Sequence, residues 1–427
     1  MIVVAGLSLC VRAITLTREI VVAHQFGAGD EIDAFYIAVL VPNFLINVVG
    51  GALGVSIMPA YIDARENEGL EAARTLFSSF NTLGIAGLMA AAIVGATLAP
   101  YALPLLGSGF SAQKLELCRR LCFIVAATTV FGGVRVVWAA ILNAENRFAA
   151  AVGASAITPM VTLVAVGMFA ERFRIYSYSV SLVAGSILEL AATGVALNRC
   201  GIGVMPVRRP RFATLRKVLV QFGYAGAGQT LMASTSAVDQ AMAAMLPSGS
   251  VALLNYGGRL VQPFVSMGAT ALNTAVSPVF CRLVSIGDWA GVKRLLRNYT
   301  LLTLSVAVPV TLVMVLCSQG LVALVYQHGA FTGAEGRMAG RILACYAFQI
   351  PFFIIGTFFV RLIVALQANY LILWVCTLNL VVDIAANVVF MRYLGVAGIA
   401  LSTSVVYVAS CGTVAWLLFR ELKARWA

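Results

Sequence analysis

Residues 12–59, RAITLTREIVVAHQFGAGDEIDAFYIAVLVPNFLINVVGGALGVSIMP, decide the fold. Most of this stretch is apolar enough to sit in a bilayer, yet Arg12 and Arg18 lie inside its first greasy helix. A charged side chain at the centre of a membrane helix costs at least ~2.5–3.5 kcal/mol. Such charges persist where they face a wet hollow or a partner. The first helices are therefore expected to line a polar path through a membrane, with the rest of the chain as its walls.

Composition agrees. Of 427 residues, 61% are hydrophobic and 11% charged, and the mean hydropathy is +0.95. A soluble domain carries about 25% charged residues, so the chain belongs in lipid. The net charge of +12 reads as a topology signal rather than a nucleic-acid footprint. The nine cysteines form no C-x-x-C pair and read as apolar packing. The first apolar run holds Arg12 and Arg18 and leads into a second, which is unlike a cleavable signal. It begins at Met1 with no basic residue ahead of it, which suggests that a few upstream residues are missing.

A span needs about 20 apolar residues. Twelve candidates follow: 2–24, 34–61, 77–105, 117–142, 150–170, 175–198, 218–246, 251–281, 298–326, 338–366, 370–391 and 395–419. Pro263 and Pro351 are candidate bends. With twelve spans both termini share one side. The loops and tail on that side hold about sixteen basic residues against about eight opposite, so both termini are expected in the cytoplasm. Residues 204–217 (VMPVRRPRFATLRK) read as a basic cytoplasmic linker between an N-terminal six-helix bundle, 1–203, and a C-terminal one, 218–427. The halves look related, because one offset of about 219 residues aligns Pro59 with Pro278 and Arg74 with Lys293. An even number of spans per half makes the repeat parallel, with a central cavity expected between the halves.

The pattern R-x5-R-E-x6-FGAG-x3-DAF-x6-PNFL-x5-GA-x6-P, from Arg12 to Pro59, resembles the opening of the MurJ/MviN lipid II flippase family of the multidrug/oligosaccharidyl-lipid/polysaccharide exporter superfamily. The likeness recurs in ILNAENRF at 141–148, in Val238-Asp239, in LPSGSV at 246–251, in LNYGGRL at 254–260 and in YQHGAF at 326–331. It implies a flippase for an undecaprenyl-pyrophosphate-linked saccharide in the bacterial inner membrane. It also implies that Arg12, Arg18 and Arg259 line a central cavity, and that Asp33 sits near the cavity mouth, where an arginine is its expected partner. Guanidinium suits a pyrophosphate head, being permanently charged and able to bind bidentately. The sequence departs from the family at residues 45–50, which lack the arginine pair and acid usual after the PNLL motif of span two. The saccharide is accordingly lipid II or a related lipid-linked oligosaccharide.

Arg12 and Arg18 are six apart and project about 120° from one another on a helix. They line two sides of a cavity, or one snorkels to an interface, and Arg18 also has Glu19 beside it as an internal partner. Arg259 follows Gly257-Gly258, two glycines expected to open space beside it for a headgroup. Arg135 and Arg361 are expected to be paired structurally. Asp239 lies deep in span seven; Asn379 and Asp383, four apart, share a face of span eleven. With Thr403 of span twelve these oxygens suit a hard monovalent cation, and the resemblance implies a sodium site at these positions. The competing reading keeps the acids protonated or paired with Arg259 or Arg361. His24 and His328 read as interfacial and solvated, and Gly50, Gly51 and Gly54 as close-packing positions.

No strand–glycine-loop–helix context for a nucleotide and no hydrolase spacing is present, so no enzymatic activity and no required cofactor are expected. The reading is an all-α polytopic membrane protein with about twelve transmembrane helices, working by alternating access. Its partners are a lipid-linked saccharide pyrophosphate and membrane lipids, with cell-wall or polysaccharide synthesis proteins as candidates and no nucleic acid. Two alternatives stand: a multidrug/cation antiporter, which would favour an acidic cavity, and a non-transporting scaffold for envelope polymer synthesis.

Overall fold

The computed structural model describes residues 2–205, 212–366, 368 and 370–426. Among them every regular element is helical. The first half runs α1 (Ile2–Phe26), α2 (Asp30–Leu45), a π-helical turn (Ile46–Gly51), α3 (Ala52–Asn67), α4 (Leu70–Leu106), α5 (Ala112–Val125), α6 (Thr128–Ala144), α7 (Phe148–Ala154), α8 (Ile157–Phe173) and α9 (Ile175–Arg199). The second runs α10 (Phe212–Ala244), α11 (Ser250–Ser285), α12 (Trp289–Leu316), α13 (Ser318–Tyr326), α14 (Gly333–Ala347), α15 (Gln349–Ala365), α16 (Tyr370–Leu394) and α17 (Val396–Trp426). Joined across their short breaks, these helices reproduce the twelve expected spans.

Eight spans among the described residues are long and apolar enough to cross a membrane, and nine with the α5–α6 pair, which bends by 44°. The three outside that set, α1, α10 and α11, carry Arg12, Arg18, Glu19, Asp239 and Arg259.

The breaks repeat as well. α4 begins at Leu70 and α12 at Trp289, α5 at Ala112 and α14 at Gly333, α9 at Ile175 and α17 at Val396, each pair about 220 residues apart. Span ten breaks at Phe348, as Pro351 dictates. Its ring excludes the carbonyl of residue i−4, and it has no N–H to give. The freed Ala347 carbonyl accepts instead from the Thr311 hydroxyl at 3.4 Å. Pro263 produces no comparable break, since α11 runs through it.

The chain divides into two compact units, residues 1–237 with 247–249, and residues 238–246 with 250–427. The boundary thus falls inside α10 rather than across the expected linker at 204–217. The physical reason is packing: Val218 and Phe222 of α10 join the N-terminal core of Tyr61, Phe77, Phe80 and Trp138. Helix α10 already begins at Phe212, so the linker is shorter than expected; residues 206–211 lie outside the described residues. The C-terminal core gathers Phe280, Leu296, Phe358 and Leu362, with Phe280 and Phe358 rings 5.1 Å apart.

Small residues set the closest approach in the first unit. A Cβ added at Gly50, in the π-helical turn, would lie 2.9 Å from the Cα of Gly133 in α6. Backbone cannot retreat as a side-chain tip can. Gly50→Val is expected to destabilise the purified protein by about 1–3 kcal/mol, read as a lower melting temperature in detergent. Gly87→Val, where nothing lies within 4 Å of the new carbon, should leave the melt unchanged.

Candidate functional site

In the N-terminal unit, α1 turns Arg18 into the core. Arg18 and Glu19 are both buried and form an ion pair with each other. The Tyr36 hydroxyl donates to the second Glu19 oxygen at 3.3 Å. The Arg18 guanidinium sits 6.0 Å from the Tyr178 ring centroid, and that ring stacks on Phe35 at 4.2 Å. The Tyr178 ring and the Glu19 carboxylate thus hold the charge, and the internal pair left open by the sequence is formed. Arg12, six residues earlier, is half-buried.

Asp33 is buried at the start of α2, where the ion-pair partner seen is a lysine in place of the expected arginine. Lys114 Nζ reaches Asp33 Oδ2 and Asp30 Oδ1 at 2.8 Å each. The backbone N–H of Gly249 donates to Asp33 at 2.7 Å, and the Ser248 hydroxyl donates to Asp30 at 2.7 Å. The α10–α11 connection is thereby fastened to the head of α2. Gly249 has φ +87°, a conformation open to glycine. Lys114 is buried, with its ammonium 4.0 Å from the Phe110 ring centroid.

Arg135 is paired as expected. Its Nε lies 3.2 Å from Glu189 on α9, and Thr158 of α8 donates to the other Glu189 oxygen at 2.5 Å. Three helices meet on one ion pair inside the apolar layer.

In the C-terminal unit, Arg259 is exposed on α11. The adjacent glycines do not leave headgroup space. A Cβ at Gly257 would meet Ile342 at 2.5 Å, and one at Gly258 would meet Tyr346 at 3.4 Å. They let α14 approach instead. Arg361 is exposed and has no ion pair among the described residues.

The same unit gathers the four oxygen-bearing positions of spans seven, eleven and twelve. Asp239 accepts from Asn387 Nδ2 at 2.7 Å and from the Thr403 hydroxyl at 3.3 Å. Asp383 is fully buried, and neither of its oxygens has a hydrogen-bond partner. The Asn379 carbonyl oxygen is likewise unpartnered, while its amide donates to Ser410 at 3.1 Å. Asp239 and Asp383 are close enough to interact electrostatically. Among the described residues neither acid forms an ion pair with Arg259 or Arg361. Carboxylates, an amide carbonyl and a hydroxyl form an all-oxygen donor set, the chemistry of hard cations. No cluster of three His, Cys, Asp or Glu occurs among the described residues.

Asn387 and Ser402 were not singled out from the sequence. Asn387 continues the i, i+4 ladder of Asn379 and Asp383, which was the signal available.

An all-helical chain of paired six-span halves with polar clusters inside the apolar layer has the architecture of a membrane transporter. Solved structures share it, two of them as follows. One, described as lipid II flippase MurJ in an inward closed conformation, aligns with a TM-score of 0.83 at 21% identity over 97% of this chain and 87% of that one. The other, an inward-facing multidrug resistance MATE family transporter of the MOP superfamily, aligns with a TM-score of 0.79 at 13% identity over 99% and 98%.

The chain belongs to the lipid II flippase MurJ family, whose model matches residues 22–425. The probable lipid II flippase MurJ of Buchnera aphidicola subsp. Schizaphis graminum is 25% identical over 99% of this chain and 83% of its own. The lipid II flippase MurJ of Burkholderia cenocepacia is 23% identical over 95% and 80%. The protein is a multi-pass protein of the bacterial inner membrane.

Proposed function

We propose that the protein carries an undecaprenyl-pyrophosphate-linked saccharide, lipid II or a related lipid-linked oligosaccharide, across the inner membrane by alternating access. The observation that carries this reading is the family match through residues 22–425. Arg12, half-buried on α1, and Arg259, exposed on α11, are each a candidate cationic contact for the pyrophosphate. Arg18, buried and neutralised by Glu19, belongs to the wall rather than to the headgroup contacts. The polyprenyl tail stays in lipid, and no covalent chemistry is needed. Asp33 belongs to the clasp at the head of α2 rather than to the headgroup contacts.

A sodium ion fits the C-terminal cluster, because the orphaned oxygens of Asp383 and Asn379 are those a hard cation would take up. Asp239, Asn379, Asp383 and Thr403 would hold it, and its single charge would offset one of the two buried carboxylates. Both termini lie in the cytoplasm on this reading, following the excess of basic residues on their side. Proteins of cell-wall or polysaccharide synthesis are the expected neighbours.

The fold shared with a MATE transporter keeps a cation antiporter in view. The arginines favour an anionic cargo over a cationic one. Complementation separates the readings. The wild-type gene should rescue a strain depleted of its own lipid-linked-saccharide flippase, and Arg12→Gln combined with Arg259→Gln should fail to rescue at an equal protein level. Rescue by the double variant would point to a scaffold.

A further inference from the structure

Asn387 occupies a position that neither the cation reading nor the sequence assigns. It is fully buried on α16, one turn beyond Asp383. Its amide nitrogen donates to Asp239 Oδ1 at 2.7 Å. Its carbonyl accepts from the Ser402 hydroxyl on α17, a residue that is also fully buried. Ser402 has a single proton, which it shares with the Ile399 carbonyl at 2.7 Å. The carboxylate fixes the amide's direction, since only an N–H can face Asp239 favourably. The chain of donors therefore runs from Ser402 through Asn387 to Asp239.

Asn387 thus spends its amide on Asp239 and accepts on its carbonyl from Ser402. Asp239 has its other oxygen held by Thr403 at 3.3 Å. The carboxylate is thus gripped from two helices by neutral donors, which fix its direction without cancelling its charge. Asp383, by contrast, presents two buried oxygens with no partner. One acid is aimed and the other is open, which is a division of labour suited to a preformed cation site.

We infer that Asn387, backed by Ser402, is a positioning residue that holds Asp239 as a ligand for a monovalent cation. This rests on the cation reading above. Outer partners of ligating groups typically contribute about 10–100-fold in metal affinity.

The test is sodium-dependent thermal stabilisation of the full-length protein in detergent, titrated with sodium chloride against choline chloride at constant ionic strength. For Asn387→Leu, the sodium concentration giving half the maximal shift should rise by about tenfold or more. The melt in choline should change much less, because leucine fills the volume. Ser402→Ala should raise the same midpoint by a smaller factor, and it decides the matter if Asn387→Leu does not fold. A change in melting temperature alone, with the sodium midpoint unmoved in both variants, would overturn the inference. A wild-type protein indifferent to sodium would instead overturn the cation reading itself.

Discussion

Asp33→Ala is expected to lower the stability of the protein by about 3–5 kcal/mol, the usual cost of removing one member of a buried ion pair. Asp33 is 1% exposed and receives both the Lys114 ammonium and the Gly249 N–H. Removing it strands a buried cation and a backbone donor together. The neighbouring Asp30 also touches Lys114, but its side chain is 64% exposed. Water screens that contact, so Asp30→Ala should cost no more than about 1 kcal/mol. Pairing Asp33→Leu with Lys114→Met should recover much of the loss, because no charge is then left buried. Thermal melts of the four proteins check this. Equal losses for Asp33→Ala and Asp30→Ala would show that the clasp does not depend on the buried acid.

The second large effect has the opposite sign. Asp383 is fully buried with both oxygens unpartnered, and such a group weakens a fold by roughly 1–3 kcal/mol. Asp383→Leu is expected to raise the melting temperature in sodium-free buffer and to erase any stabilisation by sodium. A residue that weakens the fold is one retained for function. Lower stability in sodium-free buffer would mean that Asp383 makes a structural contact after all.

The spans were readable because apolar runs of membrane length need no tertiary context. The break at Phe348 was readable too, since Pro351 acts on its own helix. The grouping of Asp239, Asn379, Asp383 and Thr403 came from spacing and resemblance, and the structure gathers Asp239 and Thr403 by a direct hydrogen bond. Asn387 was missed although it lies on the same face as Asp383. Lys114 could not have been placed from its neighbours. SAQKLELCRR looks like an ordinary polar helix start, and its burial depends on Asp30 and Asp33, far away in sequence. Gly257 and Gly258 show the converse error. Glycines beside an arginine suggested space, but the space is filled by α14. The π-helical turn at Ile46–Gly51 has no local sequence signal that distinguishes it from α-helix.

The central claim is that the protein moves a phosphorylated, saccharide-bearing lipid from one leaflet to the other. The direct measurement is headgroup accessibility of a fluorescent undecaprenyl-pyrophosphate-linked saccharide in sealed vesicles containing the purified protein. A reagent that quenches only the outer leaflet should reach nearly all of the lipid when the wild-type protein is present, and about half in protein-free vesicles. Arg12→Gln with Arg259→Gln should resemble the protein-free vesicles. If wild-type vesicles remain half-protected while the protein is folded and inserted, the claim is wrong.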